Sequence, residues 1–114
     1  MTMSEKKNQK LFQKPSVAEM VESIVGCKWS LRVMQLIRNG VYRPGEMQRQ
    51  TPGLSTKVLN ERLTRLQRFG IAEKEVFPVT PPHVEYRFTP FGDKFLGIID
   101  SIENLQNELM EGEQ

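Results

Sequence analysis

Cysteine occurs once in these 114 residues, as Cys27, and histidine once, as His83. A single cysteine excludes an intrachain disulfide. It fits a reducing compartment, or an intermolecular or reactive thiol. With one histidine and one cysteine there is no set of metal ligands at usable spacing, and no glycine-rich loop of the phosphate-binding kind is present. Neither metal nor cofactor is therefore expected. The pairing of Cys27 with His83 as a catalytic couple is improbable, because His83 falls on a predicted hairpin, so no enzyme is expected either. No run of about 18 apolar residues exists, which excludes a membrane-spanning helix from the expectations. The N-terminus lacks the apolar stretch of a secretion signal, so a cytoplasmic protein with no membrane partner is expected. A hydrophobic fraction of 38% with seven prolines is ordinary for a globular protein. The length predicts one domain whose modest core would gain from oligomerisation.

Acidic residues are scarce in one region and abundant in another. The net charge of +2 divides as +3 over residues 1–14, +1 over 15–40, +4 over 41–70, −1 over 71–88 and −5 over 89–114. The positive charge thus concentrates on the centre of the chain, while the C-terminal segment would repel phosphate. Such segregation suits a protein that turns one face toward a polyanion.

The central stretch from Arg43 to Phe69 organises the reading. Thr51-Pro52-Gly53 is a cluster of helix breakers between two helical segments. Pro44 is placed to open the first, since proline suits the first turn. Ser55 is the predicted N-cap of the second. Leu59, Leu63 and Leu66 recur at i, i+4 and i+7 and define its buried face, with Val58 and Phe69 at its edge and Gly70 as its stop. Lys57, Asn60, Glu61, Thr64 and Arg68 fall on the opposite face. A short helix, a glycine turn and a longer helix with a polar, basic outer face is the layout of a DNA-binding helix-turn-helix.

Residues 1–14 are lysine-rich and aperiodic, and predict a flexible basic N-terminal arm. Ser16 to Glu19 reads as a capping box opening a helix of about ten residues that ends at Gly26. A second helix is expected over Trp29–Arg38, with Trp29 in the core. Lys28 at its start is placed to meet solvent or a phosphate. Residues 71–77 and 84–88 read as strands, with Val84, Tyr86 and Phe88 alternating with Glu85 and Arg87. The loop 78–83 that joins them carries three prolines, and sequence leaves their cis or trans state open. This hairpin is the predicted wing. Thr89 and Pro90 open a final helix with an apolar stripe about twenty residues long. That stripe exceeds what so small a core needs. The expected dimer interface therefore combines Val17, Met20, Val21 and Ile24 of the first helix with Phe95, Ile98, Ile99, Ile102, Leu105 and Leu109 of the last. The domain is expected over 15–110, with 111–114 as a C-terminal tail. The fold class is α+β, mainly α: a winged helix-turn-helix with a two-stranded wing and terminal dimerisation helices.

Several segments in order resemble one family. Cys27-Lys28-Trp29-Ser30-Leu31 resembles the Gly-Lys-Trp-Thr-Leu segment of the HxlR-type winged helix regulators. Arg43-Pro44-Gly45-Glu46-Met47 is similar to their Arg-Phe-Asn-Glu-Leu, and residues 52–59 to their Pro-Gly-Ile-Ser-Pro-Lys-Met-Leu. Arg62, Leu63 and Leu66 match an Arg-Leu-x-x-Leu. Residues 81–86 resemble Pro-Pro-Arg-Val-Glu-Tyr, and residues 89–92 match Thr-x-x-Gly. The resemblance spans roughly residues 15–105. It implies a dimeric bacterial transcription regulator related to the MarR group that binds a pseudo-palindromic double-stranded DNA operator, with repression the expected direction. Some members that sense thiol-reactive compounds carry a cysteine well before the Gly-Lys-Trp segment, whereas Cys27 stands in place of its glycine. The wing has His83 where the family commonly has arginine.

In that setting Ser55, Thr56, Lys57, Asn60, Glu61 and Thr64 are the candidates to approach base edges, because the N-terminal part of a recognition helix enters the major groove. Arg43, Arg65 and Arg68 are the candidates for phosphate. Thr80, His83 and Arg87 are expected to carry the wing toward the backbone or minor groove. Arg62 projects toward the apolar side and is expected either to brace the helix pair or to join the phosphate contacts. Cys27 reads either as a small buried residue or as a thiol activated by Lys28 and the helix start, which would admit a small-molecule or thiol-reactive effector. The competing reading of the whole chain is a winged-helix protein-interaction module without DNA binding.

Overall fold

The structure, a computed structural model, describes residues 15–112. Its element order is α1 (Val17–Val25), α2 (Lys28–Arg38), α3 (Pro44–Arg49), α4 (Thr56–Arg68), β1 (Ala72–Phe77), β2 (His83–Phe88) and α5 (Pro90–Gly112). The expected arm 1–14 and the last two residues of the expected tail lie outside the described residues. Residues 111 and 112 belong to α5.

Each boundary has a local cause. Ser16 Oγ accepts the Glu19 N–H at 3.1 Å and starts α1. Pro44 occupies the first turn of α3, where its missing N–H costs no helical bond. Ser55 Oγ accepts the Val58 N–H at 3.1 Å and starts α4. Gly53 (φ 93°) and Gly70 (φ 76°) make the two turns that flank α4 in the left-handed region, where other residues are strained. Gly26 ends α1 as expected, standing at its C-cap with a right-handed φ of −75°.

The core gathers around α4. Leu59, Leu63 and Leu66 have no exposed surface, and Met20, Ile24, Val33, Met34, Leu36, Ile37, Met47, Ile71, Phe95 and Ile99 close over them. Four residues expected at the dimer interface are thereby corrected. Met20, Ile24, Phe95 and Ile99 face the subunit's own core, because the apolar stripes of α1 and α5 are wide enough to have an inner and an outer edge. Val21 packs against that core half-buried, and Ile102 is half-buried. The outer edge is left to Val17 and Ile98 (each 42% exposed), Leu105 (67%) and Leu109 (58%). Beyond Glu103, every described residue of α5 is exposed.

β1 and β2 form a two-stranded antiparallel sheet in which Ala72 opposes Phe88 at the base and Phe77 opposes His83 near the tip. His83, expected in the loop, instead begins β2 and stacks on Phe77 with ring centroids 4.7 Å apart. The connecting loop is Pro78–Pro82, and its Thr80–Pro81 peptide bond is cis. The wing is anchored at its base on both sides. Tyr86 N–H donates to the Tyr42 carbonyl at 2.9 Å, tying β2 to the segment before α3. Thr89 N–H donates to the Ile71 carbonyl at 3.0 Å, and Thr89 Oγ1–H donates to the Gly70 carbonyl. Thr89 Oγ1 in turn accepts the Gly92 N–H at 2.9 Å, which caps α5. The start of α5 is therefore built directly on the joint between α4 and β1. On the outside, Arg38 Nη2 bonds both carboxylate oxygens of Asp100 at 2.9 Å, linking α2 to α5.

Candidate nucleic-acid interface

The outward face of α4 assembles most of the predicted base-reading set. Lys57, Asn60, Glu61, Thr64 and Arg68 are exposed, and Asn60, Glu61, Thr64, Arg65 and Arg68 line an open concavity of about 330 Å³. Ser55 and Thr56 are also exposed at the helix start, but both oxygens have structural work. Ser55 caps the helix, and Thr56 Oγ1 accepts from Gln48 Nε2 at 3.0 Å. Gln48 also donates to the Leu54 carbonyl at 3.3 Å. One glutamine of α3 thus braces both the turn and the first residue of α4, and sequence reasoning gave it no role. Arg65, expected to be free for phosphate, is half-buried and donates to Ser23 Oγ of α1 at 3.4 Å. Its reach toward a ligand is shortened by that contact, whereas Arg68 stays exposed.

The wing residues divide. Thr80 lies exposed in the tip loop. Arg87 does not extend toward the tip. It sits one pair above the base of the sheet, opposite Glu73, with its guanidinium 4.0 Å from the Tyr42 ring centroid. His83, Glu85 and Arg87 alternate along β2 and so share one face of the wing. Glu85 is the hub of that face. Its Oε1 lies 2.9 Å from Arg87 Nη2, and its Oε2 lies 3.6 Å from Arg43 Nε and 3.7 Å from His83 Nε2. The hydrogen bond from Arg87 holds the Glu85 carboxyl below the usual carboxylate range; burial opposes it, and the charges of Arg87, Arg43 and His83 add to the lowering. The same bond raises the Arg87 guanidinium further. The clue was present in the sequence: one acid flanked at two-residue spacing by basic side chains on a predicted strand.

Cys27 is the N-cap residue of α2 and is half-exposed, so the buried reading is corrected. Burial pushes its thiol pKa up, but the net shift is downward. The Ser30 hydroxyl, the Ser30 and Trp29 backbone N–H groups and the Arg62 charge outweigh burial. Ser30 Oγ is buried and, like Arg62 Nε, meets no partner at hydrogen-bond geometry, so the Ser30 hydroxyl acts on the thiol by proximity rather than through a formed bond. Arg62 is half-buried, and its charge adds a lesser lowering at Cys27. Lys28, the expected activator, instead lies 5.1 Å from the Trp29 ring centroid. Trp29, expected in the core, is half-buried and walls an open groove with Leu31, Arg32, Gln35 and Pro52.

A short helix braced against a longer one, a polar and basic outer face, and a wing rooted beside both make a winged helix-turn-helix. The family model described as HxlR-like helix-turn-helix matches residues 24–114. The chain belongs to the HxlR-like helix-turn-helix family. Among curated relatives, an HTH-type transcriptional regulator of Synechocystis is 33% identical over 93 residues, covering 82% of this chain and 69% of its own. The HTH-type transcriptional regulator YtfH of Escherichia coli is 32% identical over 88 residues, covering 77% and 70%. Among solved structures, a MarR-family regulator from Enterococcus faecalis superposes with a TM-score of 0.74 at 27% identity, covering 99% of this chain and 94% of its own. The reduced form of YodB from Bacillus subtilis gives a TM-score of 0.68 at 27% identity over 81% and 90%. This HxlR-like protein is a transcriptional regulator with a helix-turn-helix DNA-binding fold, and its family consists of regulators rather than enzymes. Among the described residues, no helix is long and apolar enough to cross a membrane, and no cluster of acidic, histidine and cysteine side chains could hold a metal ion.

Proposed function

We propose that the chain acts in the cytoplasm as a homodimeric repressor that reads a pseudo-palindromic operator through α4. The observation that carries this reading is the outer face of α4, where Lys57, Asn60, Glu61, Thr64 and Arg68 stand exposed above a fully buried leucine stripe. Asn60 can pair with adenine, Lys57 with guanine, and Glu61 can accept from cytosine. Arg68 and Arg43 take phosphates, with Arg65 as a shorter-reaching third. Thr80 and His83 bring the wing to the backbone or minor groove. The exposed outer edge of α1 and α5 (Val17, Ile98, Leu105 and Leu109) is the surface for a second copy. Two recognition helices would then enter major grooves about 34 Å apart. Repression follows where such a dimer occupies a promoter. Cys27 is the candidate contact for a thiol-reactive effector, supported by its exposure and its lowered pKa.

Selection of bound duplexes from a random pool tests the reading as a whole. The expected result is two inverted half-sites spaced by about one helical turn. Lys57→Ala is expected to change the selected bases, and Arg68→Ala to weaken binding to all sequences alike. No enrichment over the starting pool would overturn DNA reading, and an enriched single half-site would overturn the dimeric mode.

A further inference from the structure

The cluster around Glu85 has a role that solubility does not explain. Three basic side chains converge on one carboxylate whose side chain is only 12% exposed. Two of them, Arg87 and His83, come from its own strand. The third, Arg43, is the N-cap residue of α3. Two further contacts reach Tyr42, the residue before Arg43. Tyr86 N–H bonds the Tyr42 carbonyl at 2.9 Å, and Arg87 covers the Tyr42 ring at 4.0 Å. From Arg43 the path runs through α3 to Gln48, and from Gln48 Nε2 to Thr56 at the start of α4 at 3.0 Å. The wing thus meets the start of α3 through Glu85, and the end of α3 meets the start of α4 through Gln48, so α3 itself is the rigid link between them. Electrostatics adds a second consequence. A carboxylate beside Arg43 occupies the place a phosphate oxygen would take, since both are anionic partners for a guanidinium. Arg43 lies 3.6 Å from Glu85 and its side chain is otherwise 54% exposed, so the carboxylate competes with any phosphate for the same guanidinium.

Resting on the DNA-binding reading above, we propose that Glu85 is a positioning residue that sets specificity. It orients Arg43 and the wing relative to α4, and it withholds their positive charge from phosphates that are not in register. Without it, the freed cations meet any duplex backbone, so generic affinity rises while discrimination falls.

The test uses the near-isosteric Glu85→Gln in the full chain, with binding to a random-sequence duplex and to a selected duplex measured across salt concentrations. On the random duplex the log–log salt slope is expected to steepen by roughly 0.9 for each phosphate newly neutralised. The ratio of selected to random affinity is expected to fall by about ten-fold, the scale of one misplaced base contact. The double variant Glu85→Gln with Arg43→Gln is expected to return the slope to the wild-type value, a readout that a merely structural role would not move. Glu85→Asp keeps the charge but retracts it from Arg43, and is expected to fall between wild type and Glu85→Gln with unchanged thermal stability. An unchanged slope and ratio in both Glu85 variants would overturn the proposal, as would an excess slope that survives the loss of Arg43. A wild-type chain that retains no duplex even at low salt would instead remove the DNA-binding reading, and this inference with it.

Discussion

Adding one methyl group at Gly92 tests the joint on which the wing and α5 are built. An ideal Cβ there would come within 3.0 Å of the Ile71 carbonyl carbon and 3.3 Å of its Cα, and closer still to the Ile71 oxygen. All three are backbone atoms, so no side chain can swing aside. The displaced carbonyl is also the acceptor for Thr89 N–H at 3.0 Å, and the Thr89 hydroxyl, whose proton goes to Gly70, lies 3.3 Å from it. Overpacking of this kind costs about 1–3 kcal/mol, and the upper end applies where neighbours cannot yield. Strained bonds at the Thr89 cap add about 1 kcal/mol. Alanine's better helix propensity returns up to about 1 kcal/mol. A net loss of about 2–3 kcal/mol in a domain of this size lowers Tm by roughly 10–20 °C. The assay is thermal unfolding followed by circular dichroism at one fixed protomer concentration. Gly97→Ala is the internal control: it lies on the same helix with nothing within 4 Å of the added Cβ, and should raise Tm by a few degrees through propensity alone. If Gly92→Ala melts at or above wild type, the close approach of α5 to Ile71 does not exist and the packing argument fails.

Two further outcomes follow from the exposed groups. Leu105→Ser with Leu109→Ser should shift sedimentation from dimer to monomer with little change in core stability, whereas Ile99→Ala should cost about 2–5 kcal/mol by opening a cavity; a doubly substituted protein that still sediments as a dimer would exclude this edge of α5 as the interface. The Cys27 thiol pKa is lowered, so its thiolate persists to lower pH than that of an ordinary thiol. Its alkylation rate should therefore reach half-maximum below the pH found for a free cysteine, and Ser30→Ala should move that midpoint up; a midpoint at or above the free value would contradict the site as described.

The helices and the wing were readable because each carried both a period and a punctuation mark. Leu59, Leu63 and Leu66 set one face of α4, and Ser55 and Gly70 marked its ends. Val84, Tyr86 and Phe88 did the same for β2. The sidedness of broad apolar stripes was not readable. Met20 and Ile24, or Phe95 and Ile99, look in sequence like Val17 or Ile98, and only packing against α4 decides which edge turns inward. Long polar side chains were the other gap. Arg65, Arg62 and Arg87 all carry charge suited to phosphate. The partners that claim Arg65 and Arg87 (Ser23, and the pair Glu85 and Tyr42) are distant in sequence or paired through strand geometry, and Arg62 is half-buried by packing that no local pattern announces.

The seat of α5 gives the molecule a lever. Its first turn is bonded to Gly70 and Ile71, the two residues that join α4 to β1. Its 23 residues make a rod about 34 Å long, seated on the core by Phe95 and Ile99, pinned to α2 through Asp100 and exposed beyond Glu103. Moved as one rigid rod about its first turn, with the Phe95, Ile99 and Asp100 contacts shifting along, it would convert about 3 Å at the far end into roughly 5° at the joint. A partner that moved α5 as a whole would therefore load the Gly70–Ile71 joint from which the reading helix and the wing both extend.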